Sequence, residues 1–275
     1  MLTRCKPLLG TLVEITVPES AAGAVDGAFA SIADVHAIMS FHDEGSDLAA
    51  LRRAPVGTSV RVAPATVEVL RVALDLHRES GGLFDVTIGR ELVRAGFLPR
   101  PEGPLPSSHP GTSADIEIID DCHVRCHRPM LIDLGGIAKG YAVDRAVAGL
   151  RTSGVGEGLV NAGGDMRMFG PREWQVQLRD GDGAVRSGIA LADCAIASSA
   201  NRNNRRRRWG RTQTPHIGVG RMPVITEGRI SVIAERCIIA DAMTKVVMAD
   251  PATAQAVLVR YGARACAEAP LGWAA

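Results

Sequence analysis

The chain has 275 residues, of which 46% are hydrophobic and 22% are charged, and its formal net charge is +1. This composition is typical of a soluble globular protein with a substantial core, and a charge so near zero excludes a global field that would recruit nucleic acid or an acidic membrane. No apolar run reaches the roughly 20 residues that a membrane-spanning helix needs, which argues against a membrane span.

The amino-terminal residues, MLTRCKPLLGTLVEITV, do not read as an export signal. They lack a long apolar segment before a small-residue cleavage site, and no apolar stretch precedes Cys5 as it does in a lipoprotein signal. We therefore expect the protein in the cytoplasm, or in the periplasm if a signal has been removed.

In the first half of the chain, hydrophobic periodicity and β-branched content predict two helices and three strands. The predicted elements are a strand over 9–17, helices over 21–40 and 64–80, a proline-rich loop over 99–112 and a hairpin over 115–133 that turns at Asp120–Asp121. Pro64 suits the first turn of its helix, and Gly81–Gly82 suit its end.

In the second half, the same patterns predict three helices and three strands. They are a helix over 140–153, strands over 157–168 and 173–179, a basic loop over 200–215, a strand over 229–234, and helices over 239–249 and 251–261. Because strands and helices do not alternate regularly, the pattern favours an α+β fold over a doubly wound parallel sheet. We expect one domain over residues 1–275.

Six cysteines are spread through the chain, which is unlike a disulfide framework. Cys122, His123, Cys126 and His127 could form half of a zinc site, but structural zinc sites pair two such clusters and no second one follows. The favoured interpretation is an edge strand with Cys122, Val124 and Cys126 on one face.

A glycine-rich stretch over 131–170 carries the most chemical information. Gly135, Gly136 and Gly140 come directly before or at the start of a predicted helix, whose free N–H groups can bind phosphate, and Lys139 adds a positive charge. A tight turn with a solvated lysine is the equally weighted alternative. Further along, Asn161, Gly163–Gly164 and Asp165 predict a turn that lines a cavity.

This stretch resembles the FAD:protein FMN transferase family, the ApbE-like proteins. The matching text is DLGGIAKGYAVD followed by VNAGGD, and other family segments occur in order: PLLGT at 7–11, SFHDEGSDL at 40–48, GGLFDVTIG at 81–89 and ADAMTK at 240–245. The resemblance covers about residues 7–250.

The resemblance implies an α+β fold of the tunnelling-fold type, with mixed or antiparallel sheets and packed helices. It also implies that FAD is bound as a substrate with Mg²⁺. A threonine of an acceptor flavoprotein subunit or domain would attack the FMN phosphorus, and AMP would leave.

The family's site residues transfer position by position to this chain. Those next to the flavin nucleotide would be Leu9, Phe41, Leu83, Phe84, Asp85, Asp133 and Lys139. The metal ligands would be the carbonyl of Gly136, Asp241 and Thr244, and His216 is the candidate general base that acts with Asp241 and Thr244.

The chain departs from the family at several of these segments. The family places a threonine four residues after the metal aspartate, where this chain has Lys245, so that Thr244 would have to substitute. An aspartate of the family is missing from HIGVGRMP at 216–223, and Arg53 stands where an asparagine is common. An FAD-binding protein or FAD pyrophosphatase without transfer activity is therefore the alternative function.

The run Arg205–Arg208 with Trp209 raises a third hypothesis, RNA binding through charge and stacking. The near-zero net charge and the lack of a known nucleic-acid module argue against it. We favour a solvated loop, or one that meets an acidic partner protein or the nucleotide phosphates, and expect no nucleic-acid partner.

Overall fold

The computed structural model describes residues 1–102, 105 and 111–267. Residues 103–104 and 106–110 of the predicted proline-rich loop lie outside this range. Within it, no helix combines the length and the apolar character needed to cross a membrane. The contacts divide the chain into two compact units. Among the described residues, the first contains Met1–Asp34, Lys139–Asn204 and 225–267; the second contains Val35–Ala138 and Arg205–Val224.

The described residues form strands and α-helices that confirm the predicted α+β class. The strands are β1 (Leu2–Leu8), β2 (Thr11–Val17), β3 (Ser59–Arg61), β4 (Ile116–Ile118), β5 (His123–Cys126), β6 (Gly158–Ala162), β7 (Asp165–Phe169), β8 (Trp174–Arg179), β9 (Val185–Leu191), β10 (Ala195–Ser199), β11 (Arg206–Arg208), β12 (Arg211–Gln213), β13 (Ile230–Ala234) and β14 (Arg264–Ala267). The helices are α1 (Val25–Met39), α2 (Asp47–Arg53), α3 (Pro64–Glu79), α4 (Gly89–Ala95), α5 (Ala138–Thr152), α6 (Cys237–Ala249) and α7 (Pro251–Arg260).

The first unit is built on a seven-stranded sheet in the order β1-β2-β6-β7-β10-β13-β14, in which every pairing is antiparallel. Helix α6 packs on β10, β13 and β7. It is almost wholly buried, and this explains why its sequence is apolar around most of its circumference. A core cluster that includes Met168, Ile196 and Ile233 ties the hairpin of β8 and β9 to the same sheet.

The predicted strand over 9–17 begins two residues too early. Leu9 and Gly10 form the two-residue turn between β1 and β2, with φ of 55° and 69°. Positive φ at both positions is typical of the hairpin turn whose twist matches the flanking strands. A leucine in this conformation is unusual, because its side chain crowds the backbone there.

The second unit contains the three-stranded antiparallel sheet β3-β5-β4 and the helices α2, α3 and α4. Helix α3 buries Val67, Leu70 and Leu76, and it has Pro64 in its first turn as predicted. After its end, Gly81 and Gly82 take φ of 60° and 85°, which permits the chain to reverse there.

The prediction of an edge strand around Cys122–Cys126 was wrong in one respect. Strand β5 pairs with β3 on one side and β4 on the other, so it is the central strand of its small sheet. His123 contacts Asp120 at 3.0 Å and His127 contacts Glu117 at 2.9 Å. In the described part of the chain, the ligand atoms that converge here belong to Asp120, Cys122 and His123, without Cys126 or His127.

The prediction of a loop over 200–215 was wrong in part. Arg206–Arg208 and Arg211–Gln213 pair as the short antiparallel hairpin of β11 and β12, with Trp209 and Gly210 at the turn. Both turn residues have positive φ, 50° and 72°. Alternation of apolar and polar residues could not reveal these strands, because both are almost entirely polar and exposed.

Candidate functional site

Four charged side chains meet in the first unit. Lys139, in the first turn of α5, donates to the carboxylate of Asp165 at the start of β7. Lys245 donates to the carboxylate of Asp241 and, at 3.0 Å, to the backbone oxygen of the same residue one turn earlier on α6. The second carboxylate oxygen of Asp241 accepts from the N–H of Gly140 at 3.1 Å. We call these four residues the charge cluster.

The carboxylates of the charge cluster are buried, whereas the side chains of its two lysines are partly exposed. The exposed side-chain fractions are 2% for Asp165 and 0% for Asp241, against 31% for Lys139 and 19% for Lys245. Two ammonium groups and two carboxylates balance formally, which is how buried charges are usually accommodated. The lysines are thus the members of the charge cluster that solvent reaches.

The pKa shifts in the charge cluster follow from burial and from these pairs. Burial opposes the charged form of Lys139, but the carboxylates of Asp241 and Asp165 outweigh burial and raise the pKa of this lysine. Burial alone would raise the pKa of Asp241, but the positive charges of Lys245 and Lys139 outweigh burial and hold that pKa below its ordinary value. The pKa of Asp165 is raised, first by burial and then by the charge of Asp241.

Gly140 brings α5 and α6 into close contact. A Cβ atom at this position would lie 2.3 Å from the carbonyl oxygen of Cys237 and 2.8 Å from the Cβ of Asp241. Only glycine allows the N–H of residue 140 to reach the Asp241 carboxylate at this helix spacing. The glycine-rich motif thus serves helix packing at Gly140.

Thr244, a predicted metal ligand, is fully buried and its hydroxyl is engaged on two sides. It donates to the backbone oxygen of Asp241 at 2.7 Å and lies 2.8 Å from the hydroxyl of Ser199 on β10. Both carboxylate oxygens of Asp241 likewise have N–H partners, Lys245 and Gly140. Asp241 and Thr244 as arranged therefore do not fit a divalent cation, because Lys245 already provides the positive charge at Asp241.

The turn that contains Leu9 lies beside the turn between β6 and β7. A Cβ added at Gly163 would come within 2.4 Å of the Thr11 hydroxyl oxygen, so the two turns are in contact. Asn161 holds the second turn by accepting from the N–H of Gly164 at 2.9 Å. Leu9 is half-buried in its unusual backbone conformation, and such strain often marks a functional position.

In the second unit, two of the sequence motifs lie side by side. The N–H of Asp133 donates to the carbonyl of Val86 at 2.7 Å, and the N–H of Gly89 donates to the carbonyl of Leu131 at 3.0 Å. Burial raises the pKa of Asp133 against the opposing effects of the Gly135 N–H and the charge of His42. Gly136 lies in the turn after Asp133, ahead of α5.

The apolar residues predicted to contact the flavin belong to the core of the second unit. Phe41, Leu83 and Phe84 are 6%, 6% and 5% exposed. Phe41 packs in a cluster with Val93 and Leu131, and its ring lies 5.3 Å from the guanidinium carbon of Arg52. The structure thus gives all three a packing role, and their contact with a flavin stays a prediction.

Asp85 is the centre of a polar network in the second unit. One of its carboxylate oxygens accepts from the N–H and the hydroxyl of Thr87, at 2.8 and 2.7 Å, and from the hydroxyl of Ser113 at 2.9 Å. The other lies 3.4 Å from the guanidinium of Arg221. These partners fix the conformation of the FDVT segment, so Asp85 has a structural role whether or not it contacts flavin.

Arg221 comes from the segment that departs from the family pattern. It has φ of 61°, and its guanidinium donates to the carbonyls of Thr87 and Gly111, at 2.7 and 2.8 Å, and to the Thr87 hydroxyl at 2.8 Å. Glu91 lies 3.4 Å away. One arginine thereby joins 216–223 to three other segments of the second unit.

We predict that Arg221→Met lowers the free energy of unfolding by about 3 kcal/mol, because the substitution removes the guanidinium hydrogen bonds to Thr87 and Gly111 and the cation beside two partly buried carboxylates. Urea unfolding followed by circular dichroism measures the change. Arg207→Met is the matched control: Arg207 is exposed, and we expect a change within about 0.5 kcal/mol. Equal unfolding midpoints for the two variants would show that Arg221 does not anchor the segment.

His216, the candidate base, is half-buried in a segment whose backbone is fixed by hydrogen bonds. Its carbonyl accepts from the hydroxyl of Thr214 at 2.9 Å and from the N–H of Val224 at 2.8 Å. These contacts fix the backbone of His216, and the next residue, Ile217, pairs with Pro223 in an isolated antiparallel bridge. This region therefore has a defined structure, although it lacks the family's aspartate.

The basic hairpin of β11 and β12 packs through its arginines. The Arg206 guanidinium lies 4.6 Å from the ring of Phe97, and those of Arg94 and Arg208 lie 5.9 and 5.0 Å from the ring of Trp209. Trp209 is nonetheless 65% exposed. These stacked arginines and the exposed tryptophan fit a protein-facing surface as well as a solvated one.

The sequence interpretation identified Lys139, Asp241 and Thr244, which the first unit brings together, but it gave no site role to Asp165, Ser199 or Arg221. Asp165 has a recognisable signal, because it directly follows the Gly163–Gly164 turn that the sequence predicts to line a cavity. Ser199 and Arg221 had no such signal, since their partners are distant in sequence.

Comparison with known proteins finds the family that the sequence motifs resemble. The model of the ApbE family matches residues 9–267. Among relatives named FAD:protein FMN transferase, the protein of Rhodobacter capsulatus is 32% identical over 136 residues, 45% of this chain and 26% of that protein. That of Haemophilus influenzae is 28% identical over 194 residues, 62% of this chain and 56% of that protein. The chain thus spans less than two thirds of their length.

Solved structures show the same fold. The ApbE protein of Thermotoga maritima is 25% identical, with a TM-score of 0.85 over 97% of this chain and 93% of that one. The apo form of the flavinyl transferase ApbE of Pseudomonas stutzeri is 20% identical, with a TM-score of 0.80 over 96% of this chain and 89% of that one.

Proposed function

The chain belongs to the ApbE family, and from this premise we propose that it is an FAD:protein FMN transferase that moves the FMN part of FAD onto a threonine of an acceptor flavoprotein. The observation that carries the proposal is the charge cluster. Its buried carboxylates fix the ammonium groups of two partly exposed lysines, which is a suitable arrangement for the pyrophosphate of FAD. The names of the relatives support the same reaction.

In the proposed reaction the hydroxyl oxygen of the acceptor threonine forms a bond to the FMN phosphorus. The bond from that phosphorus to the bridging oxygen breaks, and AMP leaves with this oxygen. The resemblance assigns the removal of the hydroxyl proton to His216. Lys139 and Lys245 bind the phosphate oxygens, and the charge that develops on the departing AMP is stabilised by the same ammonium groups.

The resemblance implies Mg²⁺ with the carbonyl of Gly136, Asp241 and Thr244 as ligands. Asp241 and Thr244 do not fit that role as they are arranged, because Lys245 and Gly140 hold both carboxylate oxygens and Ser199 contacts the threonine hydroxyl. No step of the proposed reaction is therefore assigned to a metal.

Intact-mass spectrometry of an established FMN-acceptor domain tests the proposal. After incubation with the chain and FAD, we expect the acceptor to gain the mass of one FMN and AMP to appear in equal amount. His216→Ala should slow transfer by about 100-fold or more, as expected for loss of a general base. His36→Ala, which changes an exposed histidine of α1, should leave the rate unchanged.

Other outcomes identify the alternative functions. AMP release without an acceptor mass gain would indicate an FAD pyrophosphatase, and FAD binding without either product would indicate a flavin-binding protein. The missing aspartate in HIGVGRMP is the observation that favours these alternatives. A wild-type rate in His216→Ala would place the base elsewhere.

A further inference from the structure

Lys245 supplies a positive charge next to the Asp241 carboxylate, with which it forms an ion pair. It lies four residues after Asp241 on α6, which places both side chains on the same face of the helix. Its ammonium group donates to both the carboxylate and the backbone oxygen of Asp241. Because an ammonium group has three donors, one N–H beyond these two contacts can serve a ligand.

The surroundings of Asp241 already contain two positive charges, those of Lys245 and Lys139. Lys139 adds to the positive potential at this carboxylate and, with Lys245, lowers its pKa. A divalent ion at Asp241 would have to displace Lys245 and would then lie close to two ammonium groups, which repel it. The remaining carboxylate oxygen would still be held by the N–H of Gly140.

We propose that Lys245 is the fixed cation of this site, in place of a divalent metal at Asp241, and that Lys139 and Lys245 together bind the pyrophosphate. The identity of the ligand rests on the proposed transferase function, whereas the exclusion of a metal from Asp241 does not. Asp241 is then a positioning residue that holds the Lys245 ammonium, and it does not ligate an ion.

Mn²⁺ titration of the full-length chain without FAD, followed by electron paramagnetic resonance, tests the metal part directly. We expect the wild-type chain and Asp241→Asn to bind Mn²⁺ equally weakly. Lys245→Thr frees the Asp241 carboxylate and supplies a hydroxyl one turn away, so it should bind Mn²⁺ about tenfold more tightly than the wild type. A wild-type Mn²⁺ site that Asp241→Asn abolishes would overturn the proposal.

FAD affinity, measured by quenching of flavin fluorescence, tests the ligand part. For the wild type we expect affinities within about twofold of each other in excess EDTA and in saturating magnesium. Lys245→Thr should bind FAD about tenfold more weakly in EDTA and recover in magnesium. A wild-type affinity that falls by about tenfold in EDTA would overturn the proposal, even if Lys245→Thr did not fold.

The two proposals can fail separately. Absence of FAD binding by the wild type in both buffers would refute the transferase function, and the Mn²⁺ titration would still decide whether Lys245 excludes a metal. Normal FMN transfer together with a wild-type Mn²⁺ site at Asp241 would refute only the role of Lys245.

Discussion

Gly140→Ala is expected to destabilise the first unit by about 3 kcal/mol or more, and to abolish FAD binding with it. The added Cβ would lie 2.3 Å from the oxygen and 2.7 Å from the carbon of the Cys237 carbonyl. Because these are backbone atoms, no side-chain rotation relieves the overlap, and α5 must move away from α6. That movement also breaks the hydrogen bond from the Gly140 N–H to Asp241.

Gly149→Ala on the same helix is the matched control for this prediction. Its added Cβ would lie 3.8 Å from the hydroxyl oxygen of Ser31, an ordinary contact. Replacing a mid-helix glycine there should stabilise α5 by about 0.5–1 kcal/mol. Urea unfolding of both variants gives the comparison; a similar small change for both would mean that the close approach at Gly140 is not essential.

The sequence was sufficient for the helices that bury one well-marked face. Predicted helices over 64–80, 140–153 and 251–261 agree with α3, α5 and α7 to within two residues at each end. Their signals are local: Pro64 and Pro251 in first turns, and apolar residues at helical spacing. Short helices such as α2 and α4, seven residues each, lack enough turns to produce that periodicity and were not predicted.

Other elements lack the apolar alternation by which a strand is recognised in a sequence. Strand β1 is mostly exposed, and it contains Pro7, which an edge strand tolerates. Although β2 follows it after a two-residue turn, β1 has no buried face that would give an apolar alternation, and the prediction began the strand at Leu9 instead. The segment 200–215 also has no apolar alternation, so its hairpin could not be recognised.

The candidate site, too, was predicted from the sequence only in part. Lys139 and Asp241 were predicted because each belongs to a continuous motif of the resemblance. The balance of the charge cluster was not predicted, since Asp165 is separated from Lys139 by a whole helix and a strand. Lys245 was recognised as a competitor of a metal, and the structure gives that competition a definite geometry at Asp241.

Asp144→Ala is expected to lower the free energy of unfolding by about 3–5 kcal/mol, because it removes one member of a buried ion pair and a helix cap together. The Asp144 carboxylate lies 2.6 Å from the Arg167 guanidinium and accepts from the N–H groups of Cys237 and Ile238, at 2.9 and 3.0 Å. Arg167 would remain largely buried without its carboxylate. Thermal and urea unfolding measure the loss.

Asp250→Ala provides the less buried counterpart, since Asp250 caps α7 by accepting from Ala252 at 3.0 Å and Thr253 at 3.4 Å. Its cost should be that of an ordinary cap, about 1 kcal/mol. A loss in Asp144→Ala no larger than this would mean that the pair with Arg167 contributes nothing. The larger loss would have a functional consequence, because Asp144 fixes the start of the helix that carries Asp241 and Lys245. FAD affinity should then fall in Asp144→Ala and remain unchanged in Asp250→Ala.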